Sequence, residues 1–373
     1  MIGQLERAAR VARTVRDAAA DYDAGLVATG RRALRVVRGE GFSMEEAATL
    51  GILDPRAPAS ELGRFASRKR LRPLQHRLNP HDLTPLTEDK VLFQRMCERL
   101  GLPVPRLHAL FYGGATGWGE GDVVLVGREA WIDHIDHVFP REFVVKPTHG
   151  HLGILVRHIR RDEGGFVDGT GARFTAAELD TWMRAQPQFT SFLVQERLYG
   201  HAALQELSGT TALQTIRVVT LVDRDRVPRV LFAGLKVITG DSPADNLHDG
   251  KTGNAVGEID LQSGRLIRVA GPGPSARDLV ELRDHPRTNV PFTGYQLPFW
   301  EETRELLDRT ALEFLPLRTI GWDIALTAAG PVLIEGNAWW GPAPPNFLRT
   351  TSAIVKALED AVDGRRAAGS ARA

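Results

Sequence analysis

The segment GWDIALTAAGPVLIEGN, residues 321–337, contains two apolar, β-rich runs on either side of the turn signal AAGP at 328–331. This arrangement predicts an antiparallel β-hairpin. With the turn at 328–330, Asp323 lies directly opposite Glu335. The same register gives the pairs Ile324 with Ile334 and Leu326 with Val332.

Side chains alternate between the two faces of a strand, so this register separates an apolar face from a polar one. The predicted apolar face comprises Trp322, Ile324, Leu326, Val332 and Ile334. The other face comprises Asp323, Ala325, Leu333, Glu335 and Asn337. Opposed carboxylates repel each other unless their charge is compensated, and Asp, Glu and Asn oxygens are ligands that suit Mg²⁺. The polar face is therefore either a magnesium site or a solvated outer surface.

Two earlier stretches have features of nucleotide contacts. EFVVKPTHGHLG, residues 142–153, predicts a strand that ends in Lys146 and a loop whose Gly150 and Gly153 could fold over a phosphate. The alternative is a turn with a surface lysine, because the loop is neither a Walker A motif nor a dinucleotide fingerprint. FLVQERL, residues 192–198, predicts a strand whose edge could offer backbone groups to adenine.

Charged residues interrupt the apolar strands that follow. Arg217 in TIRVVTLV and Lys236 in AGLKVI each either extend from the core to solvent or point into a cleft. DNLHDGKTGN, residues 245–254, is typical of a site loop or of a solvated hairpin tip. Lysine is rare in this arginine-rich chain, and contact with a phosphate, which a compact ammonium group suits, is one reason for a lysine to be present. The lysines are Lys69, Lys90, Lys146, Lys236, Lys251 and Lys356.

The composition is that of a globular protein with more than one domain. The 373 residues are 43% hydrophobic and 25% charged, with a formal net charge of +1, which excludes a disordered or collagen-like chain. Cys97 is the only cysteine, so no intrachain disulfide forms, and we expect it in a helix core of a cytoplasmic protein. No apolar run approaches the roughly 18 residues of a transmembrane helix, and the first residues lack the apolar stretch of a secretory signal.

The first 85 residues predict a helical, basic region. Ser43 followed by Glu46 marks a helix start. SRKRLRPLQHR, residues 67–77, is the densest basic run, and without interleaved aromatic residues it favours a solvated helix face over a nucleic-acid interface. TEDKVLFQRMCERLGLPVP, from Thr87, predicts a helix with Lys90 in its first turn. The remaining predicted elements are strands at 122–126, 143–145, 153–156 and 192–239, a hairpin at 258–269, and helices at 301–315 and 350–363.

Taken in chain order, these residues resemble the ATP-grasp superfamily. The Asp followed by Glu-x-Asn on the neighbouring strand is similar to the magnesium triad of the D-alanine:D-alanine ligase and glutathione synthetase relatives. HPRTNVPFTGYQLPFW, from His285, is most similar to the sugar-transfer-associated ATP-grasp proteins, and the resemblance covers roughly residues 85–362. It rests on Lys90, Lys146 with its glycine loop, Gln195, Glu196, Arg217, Asn246 and the triad Asp323, Glu335 and Asn337.

The resemblance implies an α+β ATP-grasp fold, in which ATP lies between the antiparallel sheets of two α+β subdomains. It implies an ATP-grasp domain at 86–362, which would follow the helical region at 1–85 and precede a tail at 363–373 that we expect to be disordered. Within the domain, a glycine-loop subdomain would occupy about 140–200 and a magnesium-binding subdomain about 201–362. The helical start departs from the α/β domain that usually precedes an ATP-grasp domain.

The resemblance also implies roles for individual residues. Those for ATP are Lys90, Lys146, His149, Gly150, His151 and Gly153 at the phosphates, and Gln195, Glu196 and Leu198 at adenine. The catalytic residues would be Arg217 and Lys236, the Mg²⁺ ligands Asp323, Glu335 and Asn337, and the substrate-binding residues Asn246, Lys251 and Asn254. His149 and His151 stand where relatives often carry glycine.

Three functions are compatible with this inventory. The first is a carboxylate–amine ligase, which forms an amide through an acyl-phosphate and releases ADP and phosphate, with small-molecule acid and amine substrates. The second is an ATP-grasp kinase that phosphorylates a hydroxyl or phosphate acceptor and forms ADP without free phosphate. The third is a non-catalytic nucleotide-binding protein. The sequence leaves the acid, the amine and the oligomeric state open.

Overall fold

The computed structural model of the chain describes residues 2–113, 116–150, 153–240, 245, 252–272, 279–342, 348 and 351–364. The predicted site residues His151, Asn246 and Lys251, and the predicted tail beyond Gly364, lie outside these ranges. Within them, no helix is both long and apolar enough to cross a bilayer.

The region before residue 100 is helical, as the sequence predicts. The helices are α1 (Ile2–Asp21), α2 (Leu26–Gly39), α3 (Met44–Thr49), α4 (Ala59–Leu62), α5 (Arg68–Leu78), α6 (Pro85–Glu88) and α7 (Lys90–Arg99). Ser43 and Glu46 form a reciprocal capping box that starts α3. The helix predicted from Thr87 starts later, because Asp89 accepts hydrogen bonds from the N–H groups of Val91 and Leu92 and so caps α7.

The first sheet contains the predicted glycine loop. Its strands are β1 (Leu107–Tyr112), β2 (Thr116–Gly119), β3 (Val124–Val126), β4 (Glu142–Pro147), β5 (Arg157–Asp162), β6 (Gly165–Asp168), β7 (Arg173–Phe174) and β8 (Ser191–Glu196). They are antiparallel in the order β3-β2-β1-β8-β4-β5-β6-β7. The strand predicted at 153–156 is wrong: these residues form a turn, with Leu155 at φ 58°, and β5 begins at Arg157.

One face of the first sheet is closed by helices α8 (Gly127–His137) and α9 (Ala176–Arg184). Alternate residues of β4 and β8, such as Phe143, Val145 and Phe192, pack into this fully buried core. Lys146 directly follows the core residue Val145 and therefore faces the other side of the sheet. That side lies toward the second sheet.

The second sheet contains the predicted carboxylate hairpin. Its strands are β9 (Thr215–Val222), β10 (Pro228–Val237), β11 (Ala255–Ile259), β12 (Leu266–Pro272), β13 (Leu279–Leu282), β14 (Thr319–Thr327) and β15 (Gly330–Asn337). They are antiparallel in the order β13-β12-β11-β10-β9-β14-β15. Helix α10 (Ala202–Ser208) precedes β9 and was not predicted, because its seven residues fall inside a stretch dominated by strand signals.

The hairpin pairs Asp323 with Glu335, as predicted, but its register shifts elsewhere. The turn is one residue shorter than predicted, since Thr327 pairs with Gly330, and Ile324 therefore lies opposite Leu333. A β-bulge between Asp323 and Ile324 in the pairing restores the predicted register at the carboxylates. The bulge puts Leu333, and not Ile334, into the buried core beside Trp322, which corrects the predicted division of faces.

The two faces of the second sheet are covered differently. One face, which includes Trp322, Ile324 and Val218, packs against α7 and helix α11 (Trp300–Glu313) in the largest core of the described residues. The opposite face is only partly covered, by α5 and helix α12 (Thr351–Asp363) around Trp340. Arg217, next to Ile216 and Val218 of the first face, belongs to this opposite face. The uncovered part of it faces the cleft between the sheets.

Candidate nucleotide and metal site

Arg217 and Asp323 form a buried ion pair at the centre of the second sheet. The strand register places them side by side on β9 and β14. The Arg217 guanidinium donates two hydrogen bonds to the Asp323 carboxylate, with Nε–Oδ1 at 2.6 Å and Nη2–Oδ2 at 2.9 Å. Lys236 on β10 adds a contact of 3.1 Å from Nζ to Oδ1. The two predicted catalytic cations therefore meet at one predicted metal ligand, which is only 3% exposed.

Glu335 lies directly across from Asp323, and the two carboxylates interact electrostatically. Burial raises the pKa of Glu335, and the negative charge of Asp323 raises it further. Burial also acts to raise the pKa of Asp323, but the charges of Arg217 and Lys236 outweigh burial and hold it below its usual range. Asp323 therefore keeps its negative charge to a lower pH than usual, whereas Glu335 keeps its proton to a higher pH than usual.

The residues present fit a single divalent cation. A cation near Glu335 would offset the two main causes of its raised pKa, which are burial and the negative charge of Asp323, and which the charges of Lys90 and Lys236 oppose only in part. Asn337 follows on the same strand, and its Nδ2 donates to the Gly321 carbonyl at 3.3 Å, so its Oδ1 is available to a ligand. The candidate set is thus two carboxylates and one amide, and the described ranges contain no cluster of three or more His, Cys, Asp or Glu that could hold a metal.

Lys146 approaches this cluster from the first sheet. It is 8% exposed at the end of β4. The pKa of Lys146 is lowered to about 8, mainly by burial and also by the nearby charge of Lys90, while the charge of Glu335 opposes the shift. Because these charges act on one another, Lys90, Lys146 and Glu335 surround one region of the cleft although they come from α7, β4 and β15.

The glycine loop is tied to the start of α7. The Lys90 Nζ donates to the Gly150 carbonyl at 2.8 Å, and the Lys90 N–H donates to the Thr148 carbonyl at 3.1 Å. His149 contacts the N-cap residue Asp89, with 3.1 Å between Nε2 and Oδ2. Gly150 has φ 132°, a conformation that side-chain-bearing residues rarely adopt. The loop is thus held against the first turn of α7, and His149 contacts the N-cap of that helix.

The residues predicted to bind adenine differ in burial and in their hydrogen-bond partners. The Gln195 side-chain amide is buried and donates to Oε1 of Gln94 at 2.7 Å, so it joins β8 to α7. The Glu196 carboxylate accepts the N–H of Arg106 at 3.2 Å and is exposed. Leu198 lines a cavity of about 400 Å³ between the two sheets.

This cavity is rich in basic side chains that the sequence did not single out. Its lining includes His158 of β5, Arg157, Arg197, Leu198, Ile238 and Arg287. Burial lowers the pKa of His158, as do the charges of Arg197 and Lys146, which places the cavity next to the lysine. The segment HPRTNV, residues 285–290, was the sequence signal that could have indicated part of this lining. Buried His285 contacts the Ile238 carbonyl through Nε2 at 3.0 Å, and Arg287 donates to the Gly240 carbonyl at 2.7 Å.

The predicted substrate loop is described at its two ends. At its start, the Asp245 carboxylate accepts from the Thr215 N–H at 2.7 Å and from the Thr215 hydroxyl at 2.6 Å, which ties the loop to β9 two residues from Arg217. At its end, Asn254 is fully buried and leads into β11. This burial favours a structural role for Asn254 in closing the loop.

Solved structures similar to the chain are distant. The VanG D-Ala:D-Ser ligase from Enterococcus faecalis is 14% identical with a TM-score of 0.40, over 74% of this chain and 61% of that one. The D-cycloserine synthetase DcsG is 14% identical with a TM-score of 0.41, over 78% and 80% of the two chains. An L-amino acid ligase from Bacillus licheniformis is 13% identical with a TM-score of 0.39, over 74% and 48%. The chain thus spans about half to four-fifths of these proteins.

No curated protein sequence matches the chain. The family comparison is more informative, because one sequence profile matches residues 69–357, most of the chain. The match begins inside α5, so it includes part of the helical region that the sequence analysis placed before the ATP-grasp domain. Together with two antiparallel sheets that face each other across a cleft lined with lysine, arginine and carboxylate side chains, this match identifies the chain as a member of the sugar-transfer-associated ATP-grasp family.

Proposed function

We propose that the protein is an ATP-dependent carboxylate–amine ligase that uses Mg²⁺. The observation that carries the proposal is the convergence of Lys90, Lys146, Arg217 and Lys236 on the pair Asp323 and Glu335 across the cleft. The two sheets would act as the two subdomains that hold the nucleotide between them.

The charge balance of this cluster supports a polyphosphate ligand. Four basic side chains face Asp323, Asp245 and a Glu335 whose raised pKa weakens its charge. Such an excess of positive charge in a buried site is costly unless an anion shares it. Lys90 and Lys146 would bind the phosphates of ATP, and the cavity that contains Leu198 would take the nucleoside.

The reaction needs positioning and charge neutralisation more than a protein nucleophile. A substrate carboxylate oxygen would attack the γ-phosphorus while the bond to the β-phosphate oxygen breaks, which yields an acyl-phosphate and ADP. An amine would then attack the acyl carbon, phosphate would leave, and the amine nitrogen would lose a proton. Arg217 and Lys236 would balance the charge on the transferring group, since both already sit beside Asp323.

Asp323, Glu335 and Asn337 would hold Mg²⁺. The metal would neutralise the charge that develops on the phosphate oxygens. Among the residues themselves, Arg217 orients Asp323 through two hydrogen bonds, and Lys236 fixes the same carboxylate from the neighbouring strand.

Hydroxylamine trapping tests the proposal. It intercepts acyl-phosphates as hydroxamates, whereas a phosphorylated hydroxyl does not react. We would incubate the protein with ATP, Mg²⁺ and hydroxylamine and with D-alanine, L-glutamate or D-glucuronate as the acid. Hydroxamate formed together with equal amounts of ADP and phosphate would support a ligase. ADP formed without hydroxamate and without free phosphate would contradict it and favour a kinase.

A further inference from the structure

Three aromatic side chains form a cluster directly beyond the candidate metal ligands. The Trp339 ring lies 4.3 Å from the His76 ring and 6.1 Å from the His81 ring, measured between centroids, and the two imidazoles are 6.2 Å apart. His76 and His81 are exposed and Trp339 is partly exposed, while the next residue, Trp340, is buried in the core. The cluster is therefore a surface that solutes can reach.

The segment that carries Trp339 is held rigidly by buried polar side chains of the helical region. Asn79 is fully buried, and its Nδ2 donates to the carbonyls of Thr319 at 2.8 Å and Ala338 at 3.0 Å. Gln75 donates to the Trp340 carbonyl at 2.8 Å, and Glu88 accepts the Ala338 N–H at 3.2 Å. Such buried side-chain amides fix a backbone segment when every partner is satisfied.

Strand β14 shows where this cluster lies along the cleft. Ala325, which pairs with Thr215, marks the end near the nucleoside cavity, about 7 Å from Asp323, because Leu213 lines that cavity two residues before Thr215. Thr319, held by Asn79, marks the opposite end, about 13 Å from Asp323. The nucleoside cavity and Trp339 therefore lie on opposite sides of the carboxylate cluster.

We infer that Trp339, with His76 and His81, is the binding platform for the carboxylate substrate, and that this substrate is a carboxylated pyranose. The inference rests on the proposed function, because that reaction requires a carboxylate beside Asn337. Trp339 is two residues from Asn337, at most about 7 Å of chain. A sugar ring stacked on the indole would span that distance and present its carboxylate to the metal and phosphate.

The chemistry of the platform fits such a ring. The indole face is electron-rich and attracts the polarised C–H groups of a pyranose, while the imidazoles can exchange hydrogen bonds with its hydroxyls. Exposed Arg72 and Arg77 flank His76 on α5, and neither has an acidic partner among the residues the structure describes. Their charge favours an anionic sugar over a neutral one.

Saturation-transfer NMR with methyl β-D-glucuronide tests the inference, with methyl β-D-glucoside as the uncharged control. The protein is saturated with Mg²⁺ and a non-hydrolysable ATP analogue, whose binding is measured first. We compare the wild type with Trp339→Ala and Trp339→Phe. Trp118→Ala is the matched control, because Trp118 is an exposed tryptophan on β2, far along the chain from this cluster, and packs edge-on against Tyr112.

We expect the glucuronide to bind the wild type and Trp118→Ala, and to bind Trp339→Ala about fivefold or more weakly. Trp339→Phe should restore most of the lost affinity. Nucleotide binding should be equal in all four proteins, which shows that the variants are folded. Analogue binding without glucuronide binding, equal binding of the glucoside, or unchanged affinity in Trp339→Ala would each overturn the inference. Failure of the wild type to bind the analogue would instead contradict the proposed function.

Discussion

Replacement of Asp323 by Asn removes the only acidic partner within 4 Å of Arg217 and Lys236 among the described residues. The carboxylate accepts two guanidinium hydrogen bonds at 2.6 and 2.9 Å and an ammonium contact at 3.1 Å, and it is 3% exposed. Removal of one partner of such a buried pair costs about 3–5 kcal/mol, because the remaining cations stay buried without compensation. An unfolding entropy of about 2.1 cal/mol/K per residue gives this chain a shift of about 1.3 °C per kcal/mol, so Tm should fall by about 4–6 °C.

Urea unfolding and calorimetry would measure this loss, with Asp180→Asn as the matched control. Asp180 is fully buried on α9 and is paired with Arg184 and Arg128, far from the cleft. We expect both variants to lose stability, but only Asp323→Asn to lose Mg²⁺-dependent binding of an ATP analogue. An unfolding free energy of Asp323→Asn within about 1 kcal/mol of the wild type would refute the buried-pair reasoning.

The pH dependence of Asp323 has a defined sign. The folded state holds its pKa below the ordinary value of 3.8, so the stabilisation is complete above that value. It is lost as the pH falls through the lowered folded pKa. The part of the stability difference between wild type and Asp323→Asn that comes from the titration of Asp323 itself should therefore be constant near neutrality and shrink only in strong acid.

Three further outcomes follow. Glu335→Gln should raise Tm by about 2 °C or more at pH 8 without Mg²⁺ and change it little at pH 4. The reason is that the Glu335 pKa is raised in the folded state, so the carboxyl group destabilises the fold only where it is ionised. Scanning calorimetry at both pH values checks this, and equal shifts in Tm would contradict it. Affinity for an ATP analogue should fall between pH 7 and 9 in the wild type, because Lys146 with a pKa of about 8 loses its charge, and should stay flat in Lys146→Arg; titration calorimetry checks this, and parallel profiles would refute it. Gly150→Ala should weaken analogue binding while Tm falls by only a few degrees, because φ 132° and a 3.1 Å approach to Phe189 force the loop to move; an unchanged affinity would show that the loop does not contact phosphate.

The sequence predicted the central pair of the site because that pair depends on local rules. The turn signal and the alternation of side chains were enough to oppose Asp323 and Glu335. The prediction of the turn was one residue too long, and the bulge beside Asp323 compensated for it. No local pattern in the sequence indicated the bulge, so Leu333 was assigned to the wrong face.

Other features depended on distant parts of the chain and could not be predicted from local patterns. The contacts of Lys90 with the glycine loop join residues 60 positions apart. Buried Gln75 and Asn79 lie in or just after a run that looked like a solvated basic helix, and their partners are more than 200 residues away. The basic residues of the cavity that Leu198 lines come from several segments of the chain, so only the fold brings them together.

The most direct test of the account is a calorimetric titration of Mg²⁺ with a non-hydrolysable ATP analogue into the wild type and Lys146→Ala. Lys356→Ala is the matched control, since Lys356 is exposed and pairs with Asp360 on the surface of α12. The account predicts saturable binding to the wild type and Lys356→Ala, and affinity about tenfold to a hundredfold weaker in Lys146→Ala, the loss expected for a charge-assisted hydrogen bond. No binding to the wild type, or equal binding to all three proteins, would contradict a nucleotide site between the two sheets.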